Sequence, residues 1–205
     1  MFTSNRTYIP IAKEDDPMSI PVYEHCPTFI SPKYTYRLVR REDVPGLLKV
    51  YSDSQAQHYF NCDNCTSDFR YSKLGEMENC VNMWLKGYEQ RWFVRWVILH
   101  RGRPIGTVEM FRRDDGEDGQ GLGVLRIDVC RQYEFTDVFH EILSTMLSAL
   151  HDMFGCRRIV TKALPYMEQR KTALVLHGFV LSSKPLIGEN GIEYGNYWEH
   201  CAPQA

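Results

Sequence analysis

The pattern of apolar and polar positions divides the chain into a proline-rich start and a longer run of ordinary helix and strand periods. Residues 1–33 carry Pro10, Pro17, Pro21, Pro27 and Pro32 among Asp15, Asp16 and several serines. Prolines at that density exclude a regular helix. An extended arm is expected over 1–33, with Ile9, Ile11, Ile20 and Val22 able to touch apolar surface. One domain is expected over 34–205.

Tyr34 to Arg40 alternates as a short strand. Asp43 then stands as a helix cap with Pro45 in the first turn, and Val44, Leu47, Leu48 and Tyr51 follow helical spacing to about Ser52. Residues 53–72 are polar and irregular. Met77, Val81, Trp84, Leu85 and Tyr88 mark a second helix, over about 74–90. Trp92 to Leu99 is a strong strand, with Trp92, Val94, Trp96 and Ile98 on one face as expected core. A turn at 101–104 leads to a strand over 105–112, and a glycine-rich loop leads to another over 123–131. The longest helix is expected over 135–154, capped by Thr136 and stopped at Gly155. A strand over 158–164, a helix over 167–176 and two strands, the last over 192–200, complete the order β, α, α, β, β, β, α, β, α, β, β. That order predicts a single α/β domain: a mixed, mostly antiparallel sheet with helices on both faces.

Hydrophobic residues make up 43% of the 205 residues and aromatics 13%, enough for a packed core. No apolar run approaches the ~20 residues of a membrane-spanning helix, and the N-terminus lacks the apolar block of a signal peptide. Neither a membrane nor a nucleic-acid partner is expected, since the formal net charge is -2. Seven cysteines without a secretion signal read as free thiols in a cytoplasmic protein. Cys62 and Cys65 have CxxC spacing, and a zinc site would need two of His58, Cys80 and Cys26. With no second CxxC, no metal is expected, and the loop is read as reduced and lying over one side of the domain.

Three stretches together carry a family likeness: YRLVRREDVPGLLKVYSD, the hairpin WVILHRGRPIGTVEMF, and ALVLHGF. Their order and spacing over about Tyr34 to His200 resemble the GNAT acyl-CoA N-acyltransferase superfamily, in the branch of the Rim-type ribosomal-protein acetyltransferases. The resemblance implies transfer of an acyl group, usually acetyl, from acyl-CoA to an amine. The acceptor, a small or peptide amine, would enter near residues 53–72, and the protein would be a monomer or homodimer. The family's CoA motif, R/Q-x-x-G-x-G/A, opens the long helix. Small residues there let amide groups and the positive end of the helix approach a diphosphate. This chain has Glu134, Asp137 and Phe139 at the three motif positions, although Tyr133, Glu141 and Leu143 match a family-like YRGKGYATEAL. Carboxylates stand where phosphates would sit, and each could weaken binding by ~1 kcal/mol or more. Two readings follow: a helix capped by its own Asp137 with no cofactor, or a cofactor held by the backbone of Thr136, Asp137, Val138 and Phe139. Counting back from Gly178 puts Met167 at the family's Asn position and Arg170 at its Ser position. Arg170 or Lys171 could then contact a phosphate or simply face solvent.

Acyl transfer needs a base for the amine proton and donors for the developing oxyanion. The backbone of Val129, Cys130 and Arg131 is the expected donor set. Parity places Thr107, Glu109 and Phe111 on one strand face, and Arg126, Asp128 and Cys130 together on the next strand. Glu109 is the favoured base and Asp128 the second. The plainer role for Glu109 is an ion pair with Arg126 worth ~0.2–1 kcal/mol. Tyr166 is a possible proton donor to the leaving thiolate, with packing at a rim as its plainer role. The alternative for the whole chain is an inactive protein of the same fold that has lost CoA binding and serves as a ligand-binding or interaction module.

Overall fold

A computed structural model describes residues 21–65, 67–114 and 121–202. In chain order it has β1 (Phe29–Ile30), β2 (Tyr34–Leu38), α1 (Val44–Tyr51), α2 (Leu74–Glu89), β3 (Val94–His100), β4 (Arg103–Arg113) and β5 (Leu122–Val129). Then come α3 (Thr136–Phe154), β6 (Arg158–Lys162), α4 (Glu168–Leu176), β7 (Val180–Leu181), β8 (Leu186–Ile187), β9 (Glu193–Tyr194) and β10 (Tyr197–Cys201). Eight strands form one sheet in the order β1-β2-β3-β4-β5-β6-β10-β7, and β8–β9 is a separate hairpin. Among the described residues only β5 and β6 pair in parallel; the other pairs are antiparallel. The expected α/β architecture is thus observed. No helix among the described residues is long and apolar enough to cross a membrane.

Strand parity divides the side chains between two helical layers. Val94, Trp96, Ile98, Val108, Met110, Leu125, Ile127 and Val129 pack beneath α3 and α4. The opposite face lies under α1 and α2, where Val97 meets Leu47, Tyr51, Val81 and Trp84. The second layer also covers polar strand residues: Arg95, Thr107, Glu109 and Asp128 are all buried. Gly106 sits opposite Val129 in the β4–β5 ladder. A Cβ there would lie 2.1 Å from the Asp128 carbonyl oxygen, so the Gly-Thr of the hairpin is fixed by strand contact.

Several local expectations need correction. Trp92 precedes β3 and is half-buried, outside the core that takes Val94, Trp96 and Ile98. Asp43 precedes α1 but makes no side-chain cap; its carboxylate takes two bonds from Arg37, at 2.8 and 2.7 Å, and one from the Arg40 N–H. Phe135, not Thr136, is the cap residue of α3, because the Thr136 hydroxyl is committed to Gln169. The last strand is broken into β9 and β10, where Asn196 takes a left-handed φ of 63°. Gly155 does end α3 in the left-handed conformation. Of the arm, Val22 is buried and β1 pairs with β2, whereas Ile9, Ile11 and Ile20 lie outside the described residues.

Two histidine pairs join α3 to the end of the sheet and to α4. A carbonyl can only accept, so His151 Nδ1 donates to the Cys156 oxygen at 2.6 Å. Neutral His151 then accepts at Nε2 from His200 Nδ1, 2.8 Å away. His177 and His140 meet at 3.0 Å. Burial, and then the neighbouring imidazoles, lower the pKa of His200 and His177 below the usual 6.5. The fold therefore favours neutral rings, while the unfolded chain takes up protons near 6.5. Stability is expected to be level above about pH 7 and to fall as acid is added through 6.5. Urea titrations at several pH values check this, and His200→Asn should flatten that decline.

Candidate active site

The site begins where β5 and β6 part. Their pairing runs from Leu122↔Arg158 to Leu125↔Thr161 and ends there. β4 continues to hold β5, and the Cys130 N–H bonds to the Ile105 carbonyl. Alternation along an antiparallel ladder then turns the peptide groups of Ile127 and Val129 away from β4 and into the gap. Of the three expected donors, Val129 is the one that faces the gap. The Cys130 N–H is used by Ile105, and the Arg131 N–H donates to the Asp53 carboxylate at 3.0 Å.

The first residues beyond the last pair, Arg126 and Lys162, are tied together by Asp63 of the Cys62–Cys65 loop. Lys162 Nζ lies 2.7 and 2.6 Å from the two Asp63 carboxylate oxygens. The Tyr197 hydroxyl donates to the same carboxylate at 3.1 Å, and Arg126 donates to the Asp63 carbonyl at 2.7 Å. The loop thus brackets the vertex of the gap. The Cys62 and Cys65 thiols donate to the carbonyls of Asp68 and Asp63. Burial, the largest effect on each, raises both thiol pKa values, that of Cys62 to about 12. Among the described residues, no group of three metal-ligating side chains converges.

On the α1–α2 face a chain of buried charges spans β3, β4 and β5. Glu109 and Arg126 are direct cross-strand partners, as parity implies, and Arg126 Nη1 donates to Glu109 at 2.9 Å. Arg95 donates to the other Glu109 oxygen and, at 3.0 Å, to the Thr107 hydroxyl. Burial pushes the Glu109 pKa up, but the two guanidiniums outweigh it and hold the carboxyl below its usual value. A carboxylate so held is a weak base. Asp128 differs. Its Oδ2 accepts from the Tyr51 hydroxyl at 3.3 Å, and its Oδ1 has no partner. Burial raises its pKa above the usual value, only partly offset by Arg95 and Arg170. Tyr166 is 55% exposed at the rim, with its hydroxyl donating to the His58 carbonyl at 2.5 Å.

At the start of α3, the Thr136 N–H donates to the Gln169 side-chain oxygen at 3.2 Å, and the Thr136 hydroxyl donates to the same oxygen at 2.7 Å. The Val138 and Phe139 amides turn back to the Phe135 carbonyl. Among the described residues the Asp137 amide has no backbone acceptor, and no side chain caps α3 at its N-cap position. Glu134 is buried and bonded to Arg170 at 2.5 Å, with Arg170 resting over the Phe139 ring. Burial raises the Glu134 pKa and Arg170 partly offsets it. Arg170 therefore answers Glu134 and is no solvated surface residue, whereas Lys171 reaches Glu168 and the Pro165 carbonyl.

Above this floor lies a cavity of about 660 Å³, walled by the Cys62–Phe69 loop, α2, the start of β3 and the β8–β9 hairpin. Arg95, Glu109, Arg126, Asp63 and Tyr197 line it. Sequence reasoning passed over Arg95, Asp63, Lys162, Tyr197 and Gln169. For Arg95 a signal existed: an arginine inside the run Val94 to Leu99, on the strand face opposite Trp96, needs a buried counter-charge.

Comparisons with solved structures bear on the fold. The microcin self-immunity acetyltransferase MccE, in complex with acetyl-CoA and AMP, aligns with a TM-score of 0.66 at 10% identity, over 84% of this chain and 94% of its own. The ribosomal alpha-N-protein acetyltransferase RimL, in complex with coenzyme A, gives 0.65 at 13% identity, over 84% and 96%. A GCN5-related N-acetyltransferase from Brucella melitensis gives 0.63 at 11% identity, over 85% and 78%. The chain has the GNAT fold of the Rim-type acetyltransferases. No family model matches the sequence, and no curated protein matches it significantly.

Removing Glu109 would leave the buried Arg95 and the largely covered Arg126 without their shared counter-ion. Glu109→Ala is expected to cost about 3–5 kcal/mol, read as a lower urea midpoint with an unchanged slope.

Proposed function

We propose that this chain is a cytoplasmic N-acyltransferase that moves an acyl group, most simply acetyl, from acyl-CoA to a primary amine. The observation that carries the reading is the β5–β6 gap, with the peptide of Val129 turned into it and the acceptor-side cavity reaching its vertex at Arg126 and Asp63. The seven reduced cysteines fit the compartment.

The residues fit acyl-CoA at the gap directly and at the helix start after one side-chain movement. Ile127 and Val129 offer strand peptides to an amide-bearing arm. Gln169 is exposed, and its contacts to Thr136 are worth only about 0.5–1.5 kcal/mol each. Once the Gln169 side chain turns away, the adjacent amides of Thr136 and Asp137 serve a phosphate at the positive end of a 19-residue helix, while the Thr136 hydroxyl keeps the Gln169 main-chain carbonyl as its acceptor at 3.1 Å. Glu134 repels such a ligand less than its bare charge implies, because Arg170 neutralises it. When bound, the cofactor supplies a thioester carbon as electrophile.

The protein's own groups then divide the work. The Val129 N–H donates to the oxygen that gains charge. Asp128, with an unpartnered oxygen and a raised pKa but buried outside the cavity lining, takes up the proton lost by the amine through a water relay. Tyr51 and Arg95 orient Asp128 from below, and Glu109 holds Arg95 and Arg126 in place. Tyr166 closes the rim between His58 and the β6–α4 loop. A second reading, a GNAT-fold binding module without CoA, is favoured by the Gln169 latch and by Phe139 standing at a small-residue position.

Titration calorimetry with acetyl-CoA tests the choice. Gln169→Ala should tighten binding about three- to tenfold by freeing Thr136; no heat with either protein selects the binding module. Asp128→Asn should lower turnover by about 10²–10⁴-fold and abolish the acid limb of the pH–rate profile, with acetyl-CoA affinity nearly unchanged. A profile that keeps its acid limb would assign the base elsewhere.

A further inference from the structure

The acceptor-side cavity carries information about the amine itself. Its described lining contains three arginines, Arg95, Arg113 and Arg126, against three carboxylates, Asp63, Glu109 and Glu189. The innermost charges are already matched. Glu109 bridges Arg95 and Arg126, and Asp63 holds Lys162. A polyamine would therefore find room for one amine at Asp63 among these deep carboxylates, and its further ammonium groups would be desolvated there without partners. An anionic acceptor meets the same obstacle in reverse, since no arginine at the floor lacks its counter-ion.

The walls are apolar and aromatic. Trp92 and Phe93 enter from the start of β3, Phe111 from β4 and Tyr194 from the β8–β9 hairpin. Trp92 is half-buried although the domain core lies elsewhere, and Gly87 of α2 leaves the space that Phe93 fills, since a Cβ there would meet the Phe93 ring at 2.6 Å. The Arg126 guanidinium lies 5.3 Å over the Phe111 ring, which fixes that ring as a flat wall. A volume of about 660 Å³ suits one small-molecule ligand with room for an extended aromatic body. At the inner end Asp63 accepts two contacts from Lys162 and one from Tyr197, which leaves lone-pair capacity on Oδ1.

We propose that the acceptor is a monoamine on an aromatic body, such as an arylalkylamine. The ring lies between Trp92, Phe93, Phe111 and Tyr194, and the amine points to Asp63 at the vertex of the β5–β6 gap. The proposal rests on the acyltransferase reading for its chemistry, but amine binding can be measured without the cofactor. The cavity takes the ring by apolar burial and stacking, and Asp63 takes one N–H of the amine. Selection against polyamines follows from the matched charges, and selection against short alkylamines follows from the unfilled aromatic walls.

The test uses the full chain without acyl-CoA. Trp84 and Trp92 both border the cavity, so intrinsic fluorescence excited at tryptophan wavelengths reports its occupation. Titration with 2-phenylethylamine should give saturable quenching, at least tenfold tighter than with ethylamine or spermidine. Phe111→Ala and, separately, Trp92→Ala should each weaken phenylethylamine about tenfold; the second replaces a half-buried residue outside the core and guards against a misfolded first variant. Spermidine binding as tightly as phenylethylamine, or no arylalkylamine binding at all, overturns the proposal. With acetyl-CoA added, acetylation of spermidine in preference to phenylethylamine also overturns it while sparing the transferase reading. Phenylethylamine binding without acetyl transfer does the opposite.

Discussion

Strand β5 is held along its whole length by β4, and β6 along its whole length by β10, so the parallel seam between them must absorb the twist of the sheet. It does so by ending after Leu125↔Thr161. Peptide groups past that point are strong hydrogen-bonding groups in a largely buried setting. Those of Ile127 and Val129 are left to face a gap, and a ligand with amides of its own is the natural complement. Asp63 keeps the vertex from spreading, because it binds the first unpaired residue of each strand through Arg126 and Lys162.

The second constraint is charge closure beneath α1 and α2. Arg95, Arg126 and Lys162 face Glu109, Asp128 and Asp63 in a region where uncompensated charge is costly. Aromatic faces assist: the Arg95 guanidinium lies 4.1 Å over Trp84. The closure explains why two carboxylates on neighbouring strands behave differently. Glu109 sits between two arginines and is held ionised. Asp128 sees Arg95 at 3.7 Å, keeps one oxygen unpartnered, and is pushed toward protonation by burial. The same sheet face therefore contains a structural anion and a group able to exchange a proton.

The architecture was readable from periodicity, and the β4–β5 register was readable to the residue: Glu109 does face Arg126. Parity also gave the correct face for Asp128. The missing knowledge concerned depth. A strand that alternates apolar and polar residues looks half-solvated, yet α1 and α2 cover the polar side, so a pair expected at surface strength has a buried carboxylate and a largely covered guanidinium. Asp63 was hidden inside a spacing that suggested metal chemistry, and its partners Lys162 and Tyr197 are 99 and 134 residues away in sequence. Gln169 escaped because its role depends on where α4 meets the start of α3, a distance no local pattern encodes.

The start of α3 also shows why a lost motif and a lost function are different statements. The sequence replaces Gly or Ala, Gly and Arg or Gln with Phe139, Asp137 and Glu134, which as bare residues add two negative charges and a large ring. In the fold, Glu134 points inward to Arg170 and Phe139 packs beneath that guanidinium, so both belong to the core and neither projects toward the helix mouth. One acid, Asp137, is left to oppose an anion, against two successive amides and the helix dipole. The balance at the mouth is then set by Gln169, an exposed uncharged side chain whose contacts are individually weak. A glycine-rich loop keeps amides open by having no side chains. Here the Thr136 amide is covered by the Gln169 side chain, a contact made from α4, outside the stretch where the family motif is sought.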